Sequence, residues 1–207
     1  MKTQAPIIKK NTLVMKFGGT SVGTPDAMGR VVSIVKNEKS QWKNVVVVTS
    51  ALSGVTDTLL KMTSQEAAAD THTLETMAVE IARKHEAIAK ELVSDSALAR
   101  KALMRINELL DEVVNLCKAI AILGESTPRV MDNIASAGER MCIPLLAAAL
   151  QSAGIAAEPV EATRLIVTDD HYMDAHPDYE KTKKNCKDVL NPILESGAVP
   201  VITGFLA

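Results

Sequence analysis

Residues 45 to 48 are four consecutive valines, closed off by Asn44 on one side and by Thr49-Ser50 on the other. An unbroken β-branched run of this length reads as a strand covered on both faces, the situation found in parallel sheets flanked by helices. A second short apolar run, Leu13 to Phe17, ends at Gly18-Gly19 and suits a buried strand entering a turn. Behind that turn Thr24 is placed to cap a helix, with Pro25 at its first position and Asp26 at its positive end. Met28, Val31, Val32 and Val35 then recur on one face. Strand, helix and strand together form a βαβ unit.

From about residue 73 the period changes. Leu74, Met77, Ile81, His85, Ile88 and Leu92 follow at steps of three and four, and Ala99, Leu103, Ile106, Leu110, Val113, Cys117 and Ile120 repeat the pattern. Asp95 and Ser96 separate the stripes, so two antiparallel helices are expected, inserted over about 73 to 124. His85 lies on the apolar face and reads as a satisfied core histidine rather than a ligand. A helix over about 129 to 152 is expected to be kinked or broken by Gly138 and Pro144 and to end at Gly154. Strand-like pieces at 156 to 160 and 165 to 168, an Asp169-Asp170 turn, a helix from about 177 to 196 and a last buried strand at 198 to 203 complete the chain.

Composition narrows the class. In 207 residues, 47% hydrophobic and 23% charged, there is enough apolar material for one large domain or one lobe of a bigger one. A formal charge of −2 and the lack of basic blocks interleaved with aromatics argue against nucleic acid; Lys181, Lys183, Lys184 and Lys187 read as a solvated helix face. Cys117, Cys142 and Cys186 are far apart and show no metal spacing, which points to a reducing cytoplasm. No run approaches the roughly 20 apolar residues of a membrane span.

The segment Lys16-Phe17-Gly18-Gly19-Thr20-Ser21 carries the chemistry. Adjacent glycines let main-chain N–H groups approach an anion, the helix N-terminus behind them is partly positive, and Lys16 adds a full charge. It is neither GxxxxGK[ST] nor GxGxxG. A tight turn with an exposed lysine accounts for a bare KxGG equally well.

Extended, KFGGTSV resembles the opening signature of the aspartate kinases of the amino-acid kinase superfamily. Further blocks follow in that family's order: Ser50 to Asp57 (SALSGVTD), Glu125 to Arg140 with its TPRxxDxIxSxGER pattern, Thr168-Asp169-Asp170, and Val199 to Phe205. The resemblance implies a three-layer α/β/α sandwich with a mainly parallel sheet, of which residues 1 to 207 would be the N-terminal part. It implies phosphoryl transfer from ATP, with Mg²⁺, to the β-carboxylate of L-aspartate, the first step towards lysine, threonine and methionine.

By the same resemblance Lys16 contacts the ATP phosphates, Gly18 and Gly19 cradle them, and Thr20 and Ser21 line the same turn. Ser50 lies beside them, and Thr203 and Gly204 border the site. Thr56 and Glu139 hold aspartate, Glu139 through its α-ammonium; for a bare Glu139-Arg140 pair a surface ion pair is the plainer reading. An ionised carboxylate attacking a γ-phosphoryl group needs no general base, so positioning and charge are expected to do the catalysis.

The family's glycine-rich block of the type TTLGRGGSD, whose arginine binds the substrate carboxylate, would follow Ala207, so the chain is expected to be inactive alone. Cys142 stands where the family usually has serine. Alternatives are a glutamate or acetylglutamate kinase of the same superfamily, and a module that binds without turnover. An unpaired central strand at 198 to 203 is expected to drive homo-oligomers.

Overall fold

The computed structural model describes residues 10–171 and 174–204. In chain order it contains β1 (Lys10–Phe17), α1 (Gly19–Val22), α2 (Pro25–Gln41), β2 (Trp42–Thr49), α3 (Val55–Met62), α4 (Gln65–Ala69) and α5 (Thr71–Leu92). There follow α6 (Ser96–Leu123), α7 (Pro128–Ser152), β3 (Ala157–Val160), a 3-10 turn (Ala162–Arg164), α8 (Tyr179–Glu195) and β4 (Val199–Thr203). Phe205 lies outside the described residues.

The caps form as their side chains dictate. The Thr24 side chain accepts from the Ala27 amide at 3.2 Å, Asp95 accepts from Ala97 and Leu98, and Thr127 accepts from Val130. The two apolar stripes become α5 and α6, which pack on each other and on α7.

The four strands form one sheet in the order β1-β2-β4-β3, with every ladder parallel. The valine run faces both ways. Val45 and Val47 join Val199 and Val201 in a large core with α2, α5, α6 and α7. Val46 joins Ile202, Val160 and Ile193 on the opposite face, beneath α8. Helices therefore cover both faces, and the architecture is the expected three-layer α/β sandwich.

Three expectations change. The last strand is central but not unpaired, because β2 and β3 bond it on either side. Residues 165 to 168 form no strand: Leu165 and Ile166 pack into the second core, and only Thr168 bridges to Pro177. Helix α7 runs unbroken through Gly138 and Pro144. Its residues from Ala137 to Leu150 are buried except Arg140 and Pro144, so packing holds the helix while the proline ring sits on the one open stripe.

Candidate active site

Parallel pairing puts the carboxyl ends of β1, β2 and β4 side by side, with Phe17 opposite Thr49 and Thr49 opposite Thr203. The loops that leave these ends meet there, the usual place for a ligand in an open α/β sheet. Main-chain bonds lock the loops together: the Ser50 amide donates to the Phe17 carbonyl at 3.0 Å, and the Gly204 amide donates to the Thr49 carbonyl at 3.0 Å.

Glycine is required where the loops touch. A Cβ at Gly19 would stand 2.9 Å from the Ala51 carbonyl oxygen, closer than real contacts allow. At Gly54 the backbone turns left-handed, with φ of 77°, and starts α3 without a side-chain cap. The amides of Thr56 and Asp57, in the first turn of α3, therefore have no intrahelical acceptor.

A cavity of about 430 Å³ lies among these loops. Gly19, Thr20, Ser50, Thr56 and Glu139 line it, so five of the residues singled out in the sequence converge on one space. Ser53, Gly54, Asp57 and Ala135 line it too. Their signal lay inside the SALSGVTD and TPRxxDxIxSxGER blocks: Ala135 is four residues before Glu139 on one helix, and Asp57 follows Thr56 into the first turn of α3.

Glu139 is buried, at 8% exposure. A Cβ at Gly204 would be 3.7 Å from its Oε1, so the end of β4 forms a wall beside the carboxylate. Cys142, one turn further along α7, lies with its Sγ 3.6 Å from the Thr49 hydroxyl, and burial pushes its thiol up to about 12. It is a packing group and not a nucleophile.

The remaining candidates lie elsewhere. Lys16 is exposed on β1 opposite Val48, and neither it nor Gly18 or Ser21 lines the cavity. Gly18 precedes α1, and its carbonyl accepts from the Ser21 amide at 2.9 Å. The Thr203 hydroxyl accepts from the Ala162 amide at 2.9 Å, which ties β4 to the 3-10 turn. Asp169 accepts from the amides of His171 and His176 and caps its own loop.

Chemically the cavity has two poles. The Glu139 carboxylate suits a cation, and the open first turn of α3 suits an anion. Among the described residues no lysine or arginine lines it, and Asp57 adds a second carboxylate. Among the described residues no group of three or more His, Cys, Asp or Glu side chains is placed to hold a metal ion.

The model of the amino acid kinase family matches residues 11–207, and the chain belongs to that family. Within it the chain is similar to aspartokinases. It is 29% identical over 198 residues to the aspartokinase of Chlamydia muridarum (strain MoPn / Nigg), across 96% of this chain and 40% of that protein. It is 32% identical over 203 residues to aspartokinase 3, chloroplastic, of Arabidopsis thaliana, across 96% of this chain and 34% of that one. The crystal structure of E. coli aspartokinase III in complex with aspartate and ADP (R-state) superposes with a TM-score of 0.77 at 25% identity, over 94% of this chain and 40% of that one. The chain thus spans 34% to 40% of the length of these proteins.

Proposed function

We propose that this chain carries the amino-acid-binding part of an aspartate kinase, which transfers the γ-phosphoryl group of ATP to the β-carboxylate of L-aspartate. The observation that carries the reading is the two-pole cavity, in which Glu139 faces the glycine turn, Ser50 and the first turn of α3. An amino acid offers the matching charges: its ammonium goes to Glu139, and a carboxylate goes to the amides of Thr56 and Asp57. Thr20 and Ser50 stand beside that carboxylate as hydroxyl donors, and Gly18-Gly19 with Lys16 faces the phosphates. The aspartokinase relatives support the same substrate, as does the neighbour crystallised with aspartate and ADP.

Attack by an ionised carboxylate on a phosphoryl group brings two anions together. Mg²⁺ bound to the nucleotide phosphates would neutralise part of that charge, and it typically takes only one or two carboxylates from a protein, which Asp57 can help to supply. The chain's own residues orient the acceptor carboxylate and keep its ammonium end fixed.

One observation favours a second reading, binding without turnover. Among the described residues the cavity wall has two carboxylates and no lysine or arginine, and Lys84 reaches it only from outside, donating to the Ser53 carbonyl at 3.5 Å, so little of the charge of the reacting groups is offset from within it. A coupled assay of ADP release separates the two readings when run on this chain and on a chain that continues through a glycine-rich segment of the type TTLGRGGSD. Aspartate-dependent turnover by the longer chain supports the proposal, and a preference for glutamate contradicts it.

A cytoplasmic location belongs to the same proposal, supported by three free cysteines. Homo-oligomers do as well, supported by the edge strand β1 with its exposed Val14.

A further inference from the structure

A larger hollow, about 570 Å³, lies between α6, α7 and β3 and shares no residue with the Glu139 cavity. Its walls are apolar, with Leu98 and Met104 from α6 and Pro144, Ala147 and Ala148 from α7. It exists because of the open stripe on α7. Pro144 has no amide hydrogen to bond the Arg140 carbonyl, and these two positions alone break the burial of that stretch.

One end of the groove is cationic. It meets a second hollow of about 270 Å³, with which it shares Arg105, Pro144 and Pro159, and whose walls also carry Arg140 and Arg164. Glu161 holds two of the guanidinium groups, Arg105 at 3.3 Å and Arg140 at 3.2 Å. Arg164, like Arg100 and Lys101 on the groove wall, makes no salt bridge among the described residues. Among the described residues five cations face three carboxylates: Glu108, 3.2 Å from Arg105, Glu161, and Glu112, 3.6 Å from Arg140.

We propose that this groove is a binding site for a small amphiphilic carboxylate, with its apolar body between α6 and α7 and its head group at Arg164 and Arg105. The volume falls within the roughly 300–1,000 Å³ of small-molecule sites. A guanidinium fork matches a carboxylate in shape and charge. A small inorganic anion would leave the apolar walls unused, and a cation would meet the net positive rim. A second copy of the chain, docking by the same face, would set Arg100 and Lys101 against their own counterparts.

Calorimetric titration of the purified chain with decanoate tests this, with acetate and decylamine as the head-only and opposite-charge probes. Decanoate is expected to saturate at one molecule per chain while the other two give no saturable heat. Arg164→Glu and Met104→Glu replace exposed residues, so folding, checked by circular dichroism, is kept. Each should weaken decanoate binding by about tenfold or more. The proposal is overturned if decanoate does not saturate, if decylamine binds equally well, or if neither variant changes the affinity. It is equally overturned if sedimentation shows a dimer that Arg164→Glu disperses and decanoate leaves intact, since the occupant is then a second copy.

Discussion

Gly138 of α7 and Ala51 of the loop after β2 are in direct contact: a Cβ built at Gly138 stands 2.8 Å from the Ala51 Cβ and 3.2 Å from Val55 Cγ1. This contact sets the depth at which Glu139, the next residue, enters the cavity. Gly138→Ala gains about 1 kcal/mol of helix propensity and meets an overpacking cost of about 1–3 kcal/mol. Because Ala51 Cβ is fixed to the backbone, the clash should win. Urea denaturation is expected to show net destabilisation, and a more stable variant would refute the tight contact.

His85 should make stability depend on pH. The ring is fully buried; its Nδ1 donates to the Ile81 carbonyl at 2.8 Å, and its Nε2 has no hydrogen-bond partner among the described residues. Burial is the main cause that lowers its pKa from 6.5 to about 4, against the bond to Ile81. The unfolded chain takes up the proton first, so the contribution of the neutral ring is complete above pH 6.5 and is lost as the pH falls towards 4. The loss amounts to about 3 kcal/mol. Across that window the denaturation midpoint of the wild type should fall relative to that of His85→Leu as the pH drops; parallel curves would contradict the buried neutral ring.

Asp95 starts α6 by accepting from the Ala97 amide at 2.7 Å and the Leu98 amide at 3.2 Å. Asp95→Ala should cost about 1 kcal/mol, read as a lower denaturation midpoint with an unchanged slope. An unchanged midpoint would mean that α6 is held by packing alone.

The sequence was most legible where one local rule decides the outcome. The valine run could only be a two-faced strand, and the three- and four-residue stripes could only pack as α5 and α6. Distant partners were not legible. The pairing of β4 with both β2 and β3 depends on strands some 40 to 150 residues away, and the Thr203 hydroxyl is taken by Ala162, 41 residues earlier. Helix α3 hid inside a serine- and glycine-rich block because nothing local caps it.

Within the site, Gly19, Thr20, Ser50, Thr56 and Glu139 share one cavity. Lys16 does not line it: Met15 and Phe17 pack on the main core, and strand alternation turns Lys16 to the other face. Helix α7 survived Pro144 because its burial on either side outweighs one lost hydrogen bond, a balance that composition does not reveal.

Titrating L-aspartate into the wild type and Glu139→Gln tests whether the Glu139 cavity holds the ammonium end of aspartate. Replacing the carboxylate by an amide removes one charge-assisted bond, worth about 1.5–3 kcal/mol, so affinity should fall about 10- to 100-fold while the folded spectrum is kept. Equal affinity of the two proteins, or tighter binding of L-glutamate than of L-aspartate by the wild type, would exclude that role for Glu139.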